Sequence, residues 1–171
     1  ASAVRELASW SPDGLIALPA SDDEVAALRF LGAPCVYVGH NLPLAEPRID
    51  VDERAVAGLA LGALRGYSRL AVVADLSRPF GRARRDHFVG RAGRPVLDFG
   101  ATPELYPSET RAGFDPRLVA WLERLPSDTG IFVTNDFFAV LVRHAARAIG
   151  RDVPGELGIV GVDDDNDDGL D

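Results

Sequence analysis

The chain has 171 residues, long enough to bury a real core as one ordinary domain or as two small lobes. Its formal net charge of −8 has the wrong sign for a general nucleic-acid binder, which needs a positive face against phosphates. No apolar run approaches the ~20 residues of a membrane span and no basic-plus-apolar leader opens the chain. The absence of Met points to a processed chain or a piece of a longer one.

In chain order, Val4 to Trp10 reads as the end of a helix, broken by Ser11-Pro-Asp-Gly14 before the apolar strand Leu15 to Leu18. Ser21 and Glu24 form a capping-box pattern for a helix that carries Val25, Leu28 and Leu31 on one side. A second strand, Cys35 to Val38, ends at Gly39-His40-Asn41. The single Cys35 inside that strand excludes an internal disulfide framework and fits a reducing compartment. After a Pro-punctuated connection, a short extended piece, Ile49 to Asp52, leads into a helix from Glu53 to Arg65, which Gly66 terminates.

Leu70 to Ala74 is the next strand and Arg82 to Gly90 the next helix, within an arginine-rich stretch best read as a solvated face. Pro95 to Phe99 is again a strand. The stretch 100–114 has no clear period and is long for a loop in a compact unit. Asp115-Pro116 opens a helix with Leu118, Val119, Trp121, Leu122 and Leu125 on its apolar side. Ile131-Phe-Val133 is a buried strand, Phe137 to Ile149 a helix, and Leu157 to Val162 a last strand. Alternating strands and helices imply an α/β fold with right-handed crossovers and parallel sheets. Two clear strands before Gly66 are too few for a stable sheet, so the first lobe is expected to be incomplete.

The strand ends carry the candidate chemistry. In open α/β sheets the carboxyl edge gathers strand ends, loop backbone and helix N-termini, and small ligands bind there. Asn135 and Asp136 end one strand and Asp163 another; each can accept hydroxyls or simply cap a helix or end a loop. Phe80, Arg84 and Phe88 are four apart and share a helix face. An inward arginine is costly without a ligand or carboxylate partner, and its planar fork suits vicinal hydroxyls. Phe80 offers a flat wall for a sugar, with core packing as the plainer role. Asp52 and His40 end segments of the first lobe and are candidates from that side. Asp164 to Gly169 matches the first half of a calcium loop, but a strand precedes it where a helix belongs, so no metal or other cofactor is expected. Asp163-Asp-Asp165 after a strand is the nearest approach to an aspartyl phosphatase, and it lies at the wrong end of the chain.

The spacing resembles a known family. Val153-Pro-Gly-Glu-Leu-Gly-Ile-Val-Gly-Val-Asp163 resembles the "vPedvsvvGfDd" segment of the effector-binding domain in lactose- and galactose-repressor type transcription regulators. Phe132-Val-Thr-Asn-Asp136 with its Ala-rich helix, Arg84-Arg-Asp-His-Phe88, and Val51-Asp52 running on to Gly66-Tyr-Ser-Arg-Leu-Ala71 are similar to further segments, in family order. His87 departs from the small residue of the "R..GF" pattern. Trp121 to Gly130 is most similar to xylose-operon regulators.

The resemblance implies a periplasmic-binding-protein-like fold of two Rossmann-like lobes, with residues 1–66 as a partial first lobe, 67–162 as the second and 163–171 as a crossover or hinge. It also implies a non-enzymatic, cytoplasmic homodimer that binds a small sugar, with a pentose among the candidates, and reads DNA through a domain outside this chain. The ligand would meet Arg84, Asn135, Asp136 and Asp163 on the second lobe and Asp52, His40 or neighbours on the first, with Phe80 as its wall. The competing reading is a free-standing solute-binding receptor of the same fold.

Overall fold

The computed structural model describes residues 2–19, 22–39, 47–101 and 114–164. They fall into two compact units, residues 1–51 and 52–171. The stretch from Asp164 to Gly169 that matches half of a calcium loop lies largely outside the described residues, as does His40.

In the first unit, α1 (Ser2–Trp10), β1 (Leu15–Ala17), α2 (Asp22–Phe30), β2 (Cys35–Val38) and β3 (Arg48–Ile49) build a three-stranded parallel sheet in the order β1-β2-β3. Leu15, Ala17 and Cys35 pack with Val25, Leu28 and Tyr37 in one small core. Ile16, one position along β1, is 82% exposed. Successive strand residues face opposite sides, so among the described residues one face of this sheet is packed and Ile16, on the other, is exposed. Parallel sheets are ordinarily covered on both faces, and the first lobe is incomplete in this chain, as its strand count foretells.

The second unit contains α3 (Glu53–Ala63), β4 (Arg69–Asp75), α4 (Pro79–Arg91), β5 (Val96–Ala101), α5 (Pro116–Arg124), β6 (Thr129–Val133), α6 (Asp136–Ala148) and β7 (Leu157–Val160). Its four parallel strands lie in the order β5-β4-β6-β7. The two central strands are apolar and almost wholly buried, and their alternate residues feed two cores. Ala71, Val73, Ile131 and Val133 meet Leu118, Leu122, Phe138 and Val142 of α5 and α6. Leu70, Val72, Ala74 and Phe132 meet Ala57, Ala60, Leu64 and Phe88 of α3 and α4, with the Phe88 and Phe132 rings 4.8 Å apart.

This packing moves the boundary between units. Helix α3, expected in the first lobe with the division at Gly66, belongs to the second unit because its apolar side covers β4, and the division falls at Val51/Asp52. Helix α4 also starts a turn earlier than its apolar period suggests, with Pro79 in its first turn, where a missing N–H costs nothing. At the amino edge of the sheet the Tyr67 hydroxyl donates to the Pro154 carbonyl at 2.9 Å, and hydrogen bonds from Ser68 hold the Asp128 carboxyl below its ordinary range. Among the described residues no helix is long and apolar enough to cross a membrane.

Candidate ligand site at the carboxyl edge of the second sheet

Strand order defines where a ligand can sit. From β4 the chain crosses through α4 to β5 on one side, then through α5 to β6 on the other side of β4. The carboxyl ends of β4 and β6 are therefore a topological switch point, where neighbouring connections diverge and leave a crevice. The residues there are Asp75, at the end of β4, and Thr134 and Asn135, just past β6. Asp75 and Thr134 are fully buried and joined, the Asp75 amide donating to Thr134 Oγ1 at 3.1 Å. Asp75 Oδ1 accepts from the Ser77 amide at 2.9 Å and from the Ser77 hydroxyl.

Arg84 lies against this pair, 4% exposed. Its Nε donates to Glu53 Oε2 at 2.8 Å, and its Nη1 donates to the Thr134 carbonyl at 2.7 Å and lies 3.1 Å from Asp163 Oδ1. Its guanidinium carbon stands 5.0 Å from the centre of the Phe80 ring. The inward arginine thus has the carboxylate partner that its burial demands, and that partner is Glu53. A close approach makes the placement possible: a Cβ on Gly81 would come within 2.0 Å of the Asp75 carbonyl oxygen. Only a glycine lets the first turn of α4 rest on the end of β4 and aim Arg84 at the switch point.

The other candidates divide. Asp163 joins Arg84, and its backbone adopts φ 108°, a region that L-residues rarely occupy; the ion pair helps to hold it there. Asn135 spends Oδ1 as the N-cap of α6, accepting from the Phe138 amide at 2.8 Å, which leaves its amide nitrogen as the group for a ligand. Asn135→Ala is expected to cost about 1 kcal/mol of stability, and Asn135→Asp, which keeps the capping oxygen, much less; urea denaturation measures both. Asp52 likewise caps α3, accepting from the Ala55 amide at 3.0 Å, and is exposed. It is part of the second unit, not the first as expected.

Asp136 opens α6, and its amide donates to the Val162 carbonyl at 2.9 Å. Its carboxylate lies over Gly161, where a Cβ would meet Oδ1 at 1.9 Å. There it lines a groove with Val140, Arg143 and Ile159 instead of joining the Arg84 cluster. Glu53, Asp75 and Thr134 were not among the residues singled out from the sequence. Asp75 had a usable signal, since it ends an apolar strand just as Asn135 does. Glu53 had none, because an acidic residue in a first helical turn is usually there for the helix dipole.

Residues 62–167 match the family described as the periplasmic binding protein-like domain. No curated protein sequence matches the chain. Among solved structures, a xylose-binding transcription activator is 25% identical with a TM-score of 0.79, over 90% of this chain and 43% of that one. A periplasmic binding protein/LacI transcriptional regulator from Alkaliphilus metalliredigens QYMF, complexed with D-xylulofuranose, is 19% identical with a TM-score of 0.67, over 95% and 61%. A dimeric Lac repressor is 20% identical with a TM-score of 0.72, over 97% and 62%. The chain thus spans less than two thirds of these structures, and the latter two speak to the fold alone. The chain belongs to the periplasmic binding protein-like domain family, whose fold lactose-repressor-type regulators and sugar-binding proteins share.

Proposed function

We propose that this chain is the sugar-sensing part of a transcription regulator, with no catalysis of its own, and that a small carbohydrate such as a pentose binds at the carboxyl edge of its second sheet. The observation that carries the reading is the buried Arg84, held by Glu53, the Thr134 carbonyl and Asp163 at the switch point between β4 and β6. A protein buries an arginine beside carboxylates at such an edge at considerable cost, and a site for a polyhydroxylated ligand needs this mixture of donors and acceptors. The remaining donors of Arg84 and Asn135, the carboxylate of Asp163 and the Phe80 ring would contact the sugar. The pentose choice is supported by the similarity to a xylose-binding activator.

Occupancy biases the regulator between two states by the difference in its affinity for them. In a homodimer that reads DNA through a domain elsewhere in the protein, the bias becomes a change in DNA affinity at paired half-sites. Calorimetric titration of the intact protein with a panel of pentoses and hexoses tests the site. Asp163→Asn should weaken the tightest sugar about 10-fold or more, the loss expected for a hydrogen bond to a charged group. A sugar bound equally well by the wild type and Asp163→Asn would remove this site from consideration.

A further inference from the structure

We propose that the site selects an uncharged sugar against phosphorylated and carboxylate-bearing ones, and that Glu53 enforces this by occupying the Arg84 guanidinium. The inference rests on the sugar site proposed above and adds the charge of its ligand. Arg84 is the buried cation of the cluster among the described residues, and two carboxylates contact it directly, those of Glu53 and Asp163. Tight recognition of a phosphate or carboxylate by arginine uses two parallel N–H groups. Here Nε is committed to Glu53, and Nη1 to the Thr134 carbonyl and Asp163. What remains at Nη2 can donate to a hydroxyl but cannot fork onto an anion.

Charge counts in the same direction. An anionic ligand would place a third negative group around one buried positive one, and uncompensated like charges in a desolvated site disfavour binding. The other cations on this stretch do not reverse the balance. Arg78 and Arg82 are exposed, Arg82 is turned back onto the Leu76 carbonyl, and exposed charges are screened by solvent and salt. Helix N-termini attract anions, but that of α6 is capped by Asn135 and carries Asp136 in its first turn. That of α4 rests on Asp75 through Gly81. Glu53 is thus a positioning residue: it touches Arg84, and through Arg84 decides what charge the ligand can bear.

The test is calorimetric titration of the intact protein with D-xylose and D-ribose, their 5-phosphates and their aldonates. A neutral pentose should bind, with its anionic counterparts weaker by about 30-fold or more, the penalty of a juxtaposed like charge. In Glu53→Gln the negative charge beside the guanidinium is removed and that gap should narrow by about 10-fold, while Glu53→Asp should keep it. Circular dichroism melts establish that the variants are folded. Asp163→Asn, on the exposed side of the same guanidinium, should narrow the gap too and does not depend on Glu53→Gln folding. A phosphate or aldonate binding within about 3-fold of its neutral parent, or an unchanged gap in folded Glu53→Gln or Asp163→Asn, overturns the charge rule and leaves the sugar site standing. If none of the six compounds binds, the sugar site itself fails and the charge rule with it.

Discussion

Arg84→Met should destabilise the second unit by about 3–5 kcal/mol, the usual cost of removing one partner from a buried ion pair. Methionine fills much of the aliphatic volume, so the loss is electrostatic more than steric. Glu53, 6% exposed, would keep its charge in a desolvated place with its nearest cation gone. The Thr134 carbonyl would also lose a donor at 2.7 Å. Asp163 matters less, because its side chain is 37% exposed and water can replace the guanidinium. The double variant Arg84→Met/Glu53→Gln should therefore be more stable than Arg84→Met alone, since replacing both members of a buried pair is far cheaper than orphaning one. Urea denaturation of the wild type, both single variants and the double variant gives the coupling energy. A double variant no better than Arg84→Met would mean that the Arg84–Glu53 contact contributes little and that some other role keeps Arg84 buried.

Much of this architecture was legible because its signals are local. Strand ends announced themselves where apolar runs met Asp or Asn, and caps where Asp115 and Asn135 precede helices. The inward face of α4 followed from the spacing of Phe80, Arg84 and Phe88, and the last two are indeed buried. What could not be read was which distant residue completes each feature. Glu53 meets Arg84 across 31 positions, and nothing near Glu53 in the chain reports that contact. The apolar stripe of α3 shows that the helix covers a sheet without showing which one, so periodicity alone does not assign α3 to a unit. The orientation of Asp136 depends on an empty place at Gly161, on another strand end. An absent side chain leaves no mark in hydrophobic periodicity.

The same reasoning gives Gly81 a large effect despite its having no side chain. Gly81→Ala should lower stability by about 3 kcal/mol, at the upper end for overpacking a well-filled place. Alanine favours a helix over glycine by about 1 kcal/mol, so propensity alone predicts a gain. The steric term opposes it, because the new methyl would sit 2.0 Å from the Asp75 carbonyl oxygen and 2.9 Å from its carbon. These are backbone atoms of a central strand in a packed sheet and cannot turn aside as a flexible side chain can. The helix must yield instead, lifting the first turn of α4 off the end of β4 and carrying Arg84 away from Glu53 and Thr134. Gly90→Ala provides the control within the same helix, since a Cβ there meets nothing within 4 Å, and it should be neutral or stabilising by up to about 1 kcal/mol. Sugar titration should separate the two in the same way, with affinity kept in Gly90→Ala and reduced in Gly81→Ala. A Gly81→Ala protein as stable as the wild type, with unchanged sugar affinity, would show that the first turn of α4 does not aim the guanidinium.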